Sequence, residues 1–140
     1  MSVYVDASVL VALFTNDAIA GRADAYLRTH APILIVSDFT AAEFASAVAR
    51  HVRMRDMKPQ DARLVFASFD EWIARAAGRV FTSSEDVACA ATLLRRLDLP
   101  LRTPDAMNLA IAMRVDAQLL TFDKKMAASA RTLGIVVILG

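Results

Sequence analysis

Of the fifteen acidic residues in this chain of 140, four keep unusual company. Glu43 is the only charge between Asp38 and Arg50, inside Phe39-Thr40-Ala41-Ala42-Glu43-Phe44-Ala45-Ser46-Ala47-Val48-Ala49. Asp105 is the only charge between Arg102 and Arg114. Asp6 follows the uncharged run Ser2-Val3-Tyr4-Val5, and Asp123 follows Ala117-Gln118-Leu119-Leu120-Thr121-Phe122. A carboxylate among apolar neighbours is costly unless it is paired or liganded. Helix capping offers each aspartate a purely structural role, since an anion after a strand or in a first helical turn is ordinary cap chemistry. Glu43 has no such explanation, because its segment is small or apolar on nearly every face and reads as a buried helix.

If the four acids converge, they need a cation. Two carboxylates ~5 Å apart repel by roughly 3 kcal/mol at an effective dielectric near 20, a large cost for a marginally stable domain. Oxygen donors with no His or Cys in the same motifs favour Mg²⁺, or Mn²⁺, over Zn²⁺. Such an ion suits phosphodiester hydrolysis, where it lowers the pKa of water and offsets charge on the leaving oxygen. Ser8 and Thr121 stand two residues from Asp6 and Asp123, and Asn108 follows Asp105 by three. Each is placed to orient a carboxylate or a water.

The elements that must position these residues alternate along the chain. Short β-branched or aliphatic runs at 2–5, 33–36, 117–121 and 135–139 read as strands buried on both faces, with a shorter extended piece at 79–81. Between them lie helices over 18–30 (capped by Asp17), 39–53 (capped by Ser37-Asp38) and 58–78. Later ones cover 86–97 behind a capping box, 103–114 with Thr103 as cap, and 124–133 stopped by Gly134. Ser8 is placed to cap the helix after the first strand. Strands alternating with helices predict a three-layer α/β/α sandwich around a mainly parallel sheet, with residues 1–140 as one domain. The helices between the second and third long strands read as an insertion or clip. Asp6 then lies at a carboxyl edge, where open α/β sheets bind ligands.

Composition excludes several classes. A net charge of +1 gives no overall basic field, so any nucleic-acid contact must come from local clusters. One cysteine, Cys89, excludes an internal disulfide and suits a reducing compartment. No signal-peptide pattern and no uncharged run of ~18 residues is present, so a cytoplasmic, membrane-free location is expected. A hydrophobic content of 56% suggests that some apolar surface meets a partner or a second copy.

The set Val5-Asp6-Ala7-Ser8, Thr40-Ala41-Ala42-Glu43-Phe44, Thr103-Pro104-Asp105-Ala106 and Leu120-Thr121-Phe122-Asp123-Lys124-Lys125-Met126 resembles the PIN-domain ribonucleases. The likeness is greatest to the VapC-type toxins of bacterial toxin–antitoxin pairs. It implies a Mg²⁺-dependent endoribonuclease with Asp6 and Asp105 as metal ligands and Glu43 and Asp123 completing the acidic site. It also implies a homodimer and a cognate antitoxin that blocks the site. Lys124, Lys125 and Arg102 flank the acids and are the expected RNA-backbone contacts. The cluster Arg50, Arg53 and Arg55 is explained by a helix C-terminus, and His30 and His51 are expected to lie away from the acids. Two alternatives compete. An aspartyl-phosphate hydrolase or receiver would need a second Asp where Ser8 stands, or paired acids at one strand end. A catalytically idle PIN-like binding module would keep the acids only as surface charge or as an anchor for a partner.

Overall fold

The computed structural model describes residues 1–139. Its centre is a five-stranded, all-parallel sheet in the order β3-β2-β1-β4-β5. The strands are β1 (Ser2–Val5), β2 (Ile33–Ser37), β3 (Ala77–Val80), β4 (Gln118–Leu120) and β5 (Val137–Ile138). The helices are α1 (Ala7–Phe14), α2 (Ala20–His30), α3 (Asp38–Arg53), α4 (Pro59–Ala76), α5 (Ser84–Arg95), α6 (Thr103–Arg114) and α7 (Lys124–Thr132).

Alternation along the strands divides the core into two layers. Val3, Val5, Leu34, Val36 and Leu120 pack with α1, α3 and α4 on one face. Tyr4, Ile35 and Leu119 pack on the other against residues of α5, α6 and α7. The helix–sheet–helix architecture expected from the sequence is therefore observed. On the first face Phe14 meets Phe44, Phe69 and Trp72 edge-on at 5.8, 5.5 and 5.5 Å, and Phe44 stacks on Phe69 at 4.4 Å. This aromatic knot fixes α1, α3 and α4 relative to one another, and with them the residue next to Phe44, which is Glu43.

Several details depart from the sequence reading. Residues 77–80 are a full member of the sheet, paired in parallel with β2, so α3 and α4 form the crossover from β2 to β3 and not an inserted clip. Their content, Ala-Gly-Arg-Val, lacks the apolar run that marks a buried strand because β3 lies at a sheet edge. Helix α3 is not buried all round: Phe44 and Val48 are fully covered, whereas Ala42, Ala45 and Ser46 face solvent. Alanine is accommodated on either side of a helix, so a run of small residues does not report burial. Asp6, not Ser8, is the N-cap of α1, and Arg102, not Thr103, occupies the cap of α6. Helix α2 begins only at Ala20, after Asp17 has used its carboxylate to accept from the Ile19 amide at 3.1 Å. Gly134 does end α7, with φ of +83° and its amide bonded back to the Arg131 carbonyl.

The strand order matters most for function. From β1 the chain steps outward to β2 and β3, then returns through α5 and α6 to lay β4 on the opposite side of β1. The connections leaving β1 and β4 therefore diverge, and a crevice opens at their carboxyl ends.

Candidate functional site

Asp6 ends β1 in that crevice and is 6% exposed. Its backbone amide continues the ladder to the Leu120 carbonyl of β4 at 3.0 Å. Its Oδ2 accepts from Ser8 Oγ at 2.7 Å and from Thr121 Oγ1 at 2.9 Å. Both hydroxyls also accept from the far side of the crevice: Ser8 Oγ from the Phe122 amide at 3.0 Å, and Thr121 Oγ1 from the Asp123 amide at 2.9 Å. Two short polar side chains thus hold the β4–α7 turn against Asp6. Burial pushes the Asp6 carboxyl upward in pKa, and the Ser8 and Thr121 hydroxyls, by donating to the ionised form, pull it partly back.

Glu43 reaches the same region from α3. Its Oε1 accepts from Asn108 Nδ2 of α6 at 2.6 Å. Its pKa is raised to about 7, first by burial, against which the Asn108 bond acts, and then by the negative charges of Asp6 and Asp105. Asn108 is itself locked, being 1% exposed. Its Nδ2 also donates to the Pro104 carbonyl at 3.0 Å, while its Oδ1 accepts from the Tyr4 hydroxyl at 2.6 Å and Thr40 Oγ1 at 3.1 Å. The Tyr4 oxygen lies 2.6 Å from Ser37 Oγ, and Ser37 in turn caps α3 by accepting from the Thr40 amide at 2.9 Å. The Pro104 carbonyl can only accept, so the Asn108 amide turns its NH₂ to that side and presents it to Glu43 as well. Tyr4, Ser37 and Thr40 were not singled out from the sequence. A tyrosine in a strand buried on both faces is the one signal available, because its hydroxyl must find a partner there.

Asp105 and Asp123 stand at the crevice rim. Asp105 turns one oxygen back on its own helix start, with Oδ2 accepting from the Arg102 amide at 3.0 Å and lying 3.8 Å from Arg102 Nε. Asp123 caps α7 through the Met126 amide at 3.0 Å. Neither Asp6 nor Glu43 forms an ion pair among the described residues.

Among the described residues no three His, Cys, Asp or Glu side chains are grouped so as to hold a metal ion between them. The pattern is instead a pair of half-buried to buried carboxylates raised in pKa, with a third close enough to be felt by Glu43. That donor set fits a hard divalent ion of the Mg²⁺ kind, which keeps most of its waters and takes only one or two carboxylates. Asp6, Glu43 and Asp105 are the residues available to it.

A cleft of about 880 Å³ opens from Glu43 along α3, closed on its other sides by Ala7, Ser8 and Val11 of α1 and by Arg102 and Pro104. Arg50, His51 and Arg53 line it too, so His51, expected to lie away from the acids, shares the cleft with Glu43 from a position more than two turns along α3. Lys124 and Lys125 are exposed at the start of α7 and are not part of its lining.

Comparison with solved structures finds the same fold over essentially the whole chain. VapBC2 from Rickettsia felis, bound to a DNA fragment from its promoter, matches with TM-score 0.72 at 14% identity, over 99% of this chain and 98% of that one. VapC20 of Mycobacterium tuberculosis, a toxin that cleaves the sarcin–ricin loop, matches with TM-score 0.71 at 18% identity, over 91% and 94%. FitAcB from Neisseria gonorrhoeae gives TM-score 0.75 at 14% identity, over 97% and 96%. Comparison with curated proteins gives no match. The family model for the PIN domain matches residues 3–132, a span that contains all four acids, and the chain belongs to the PIN domain family.

Proposed function

We propose that residues 1–140 form one nuclease domain, a Mg²⁺-dependent endoribonuclease that serves as the toxin of a VapBC-type toxin–antitoxin pair. The observation that carries this reading is the convergence of Asp6 and Glu43, neither ion-paired among the described residues, at the switch point of a PIN-family sheet. In this reading Asp6 and Asp105 hold Mg²⁺, or Mn²⁺, and Glu43 and Asp123 complete the acidic site. A bound ion there supplies water of lowered pKa and neutralises charge on the phosphodiester. The chain's own part is positional. Ser8 and Thr121 orient Asp6, and Asn108, set by Tyr4 and Thr40, orients Glu43. Arg102 offers a cation at the rim, and Lys124 and Lys125 stand exposed in the first turn of α7 after Asp123.

The fold shared with VapBC and FitAB complexes supports a cognate antitoxin as partner. No helix among the described residues is long and apolar enough to cross a membrane, in keeping with action on cytoplasmic RNA. Exposed Leu64, Phe81 and Val87 provide apolar surface for a homodimer. One observation favours the second reading, an idle PIN-like binding module: Asp105 and Asp123 both spend a carboxylate oxygen on capping their own helices.

Incubation of the purified protein with mixed cellular RNA, in Mg²⁺ or in EDTA, separates the two. The nuclease reading expects cleavage that EDTA abolishes and that Asp6→Ala and Asp105→Ala lose while both variants keep the fold by circular dichroism. Equal cleavage by the wild type and the folded variants, or none by any of them, leaves the binding module.

A further inference from the structure

We infer that the cleft along α3 is the path of the RNA strand, with Arg50 and Arg53 as its phosphate contacts on the side away from the acids. This rests on the nuclease reading above and adds to it the face of the molecule that the substrate crosses. Residues 43, 46, 47, 50, 53 and 54 recur at spacings of three, four, seven, ten and eleven, which is one face of a helix. All six line the cleft. Arg50 stands two turns beyond Glu43, about 10 Å along the axis, within reach of the phosphates flanking a linkage held at the acids.

The floor between them is Ser46 and Ala47, which leave the way open for a backbone. The preference of a helix C-terminus for cations asks only that an arginine stand in the last turn. It does not ask that the arginines turn onto the same face as Glu43.

Charge in the cleft argues for a nucleic acid. Arg50 and Arg53 are exposed and form no ion pair or side-chain hydrogen bond among the described residues. By contrast Arg28, Arg75, Arg96 and Arg114 are each paired with an acid. Asp56, which also lines the cleft, bonds His51, Nδ1 to Oδ1 at 2.9 Å, and forms no ion pair with either arginine among the described residues. A strand of uniform negative charge meets both ends of the cleft: guanidinium groups at one, and at the other the divalent ion that the acids require.

The test is binding of a fluorescein-labelled, 2′-O-methylated single-stranded RNA of mixed sequence, followed by anisotropy in EDTA over a range of salt, so that no cleavage is needed. The double variant Arg50→Ala/Arg53→Ala is expected to bind on the order of tenfold more weakly at low salt. The slope of log affinity against log salt should become shallower by about 1.4, two contacts at about 0.7 each on a single strand. Arg50→Lys/Arg53→Lys should keep the wild-type slope, and Arg75→Ala, a surface cation outside the cleft, should change nothing. Unchanged affinity and slope in the double alanine variant overturn the path. So does a poly-glutamate peptide whose binding depends on Arg50 and Arg53 when that of RNA does not. The two readings fail separately: arginine-dependent binding without Mg²⁺-dependent cleavage strikes the nuclease alone, and cleavage with arginine-independent binding strikes the path alone.

Discussion

Asp86 and Asp6 are both buried carboxylates at the start of a helix, yet their electrostatic settings are opposite. Asp86, 1% exposed, receives a two-pronged bond from Arg114, Nε to Oδ1 at 2.8 Å and Nη2 to Oδ2 at 3.0 Å, and accepts from the Ser83 amide at 2.8 Å. Burial would raise its pKa, but the Arg114 guanidinium and the Ser83 amide outweigh it and hold the carboxyl below the usual range. Asp6 has only hydroxyls and backbone amides for company, and burial prevails. In one corner the chain supplies its own counter-ion, and the same guanidinium also ties down the Phe81 carbonyl at 2.8 Å. Beside Asp6 and Glu43 no cation is paired among the described residues, which is what the proposed metal site requires.

The largest effect that would break this contrast is removal of the internal counter-ion. Arg114→Ala leaves Asp86 buried without a charge partner and should cost about 3 kcal/mol, read from the midpoint of denaturant unfolding. Asp6→Asn at pH 8 should cost far less in the same experiment, because it removes a charge that nothing balances. A loss from Asp6→Asn as large as that from Arg114→Ala would show that the two corners are alike.

Next in size is Tyr4→Phe. The ring still fills the core, but Asn108 Oδ1 loses its shortest donor, a deletion that should cost about 1–2 kcal/mol of stability. The freed amide should let Glu43 wander and lower RNA cleavage by about tenfold. Full activity in Tyr4→Phe would confine the network to packing.

The smallest effect is a dependence on pH, and its sign sharpens the comparison. Glu43 titrates near 7 in the fold against 4.5 in the unfolded chain, so the native state holds the extra proton between those values. Its contribution therefore falls as pH rises from about 4.5 to about 7. Asp86, with its lowered pKa, contributes in the opposite sense: its stabilisation is present above its unfolded value of 3.8 and is lost as pH falls through the folded value. Glu43→Gln should make the fall of thermal stability between pH 5 and 7.5 shallower, by roughly 2–4 °C in Tm after discounting for the partial exposure of Glu43, without touching the acid limb. An unaltered neutral slope in Glu43→Gln would mean that burial does not hold the glutamate's carboxyl above its ordinary range.

Much of the positional logic was open to reading from the residues. An uncharged β-branched run ending in Asp6 forces a buried strand with a carboxylate at its edge, and both Ser8 and Thr121 hydroxyls, each two residues from an acid, turn to the Asp6 carboxylate. Glu43 declared itself by its isolation among apolar neighbours. What stayed hidden depends on rotation and strand order, which local pattern does not carry. Tyr4 reads as one more strand hydrophobe until the sheet brings β2 and α6 beside it. Arg50 and Arg53 read as helix-end cations until the aromatic knot of Phe14, Phe44 and Phe69 fixes which way α3 faces. The edge strand at 77–80 has no hydrophobic run to announce it, and the alanines of α3 look equally at home in core and in solvent.

Calorimetric titration of Mg²⁺ into the protein at pH 8, without RNA, addresses the centre of the account most directly. Wild type should bind the ion with measurable heat, Asp6→Asn should lose that binding, and Arg114→Lys, which keeps a cation beside Asp86, should leave it unchanged. Mg²⁺ binding that survives Asp6→Asn, or a wild type that takes up no Mg²⁺ at all, would contradict the assignment of the switch-point acids to a metal.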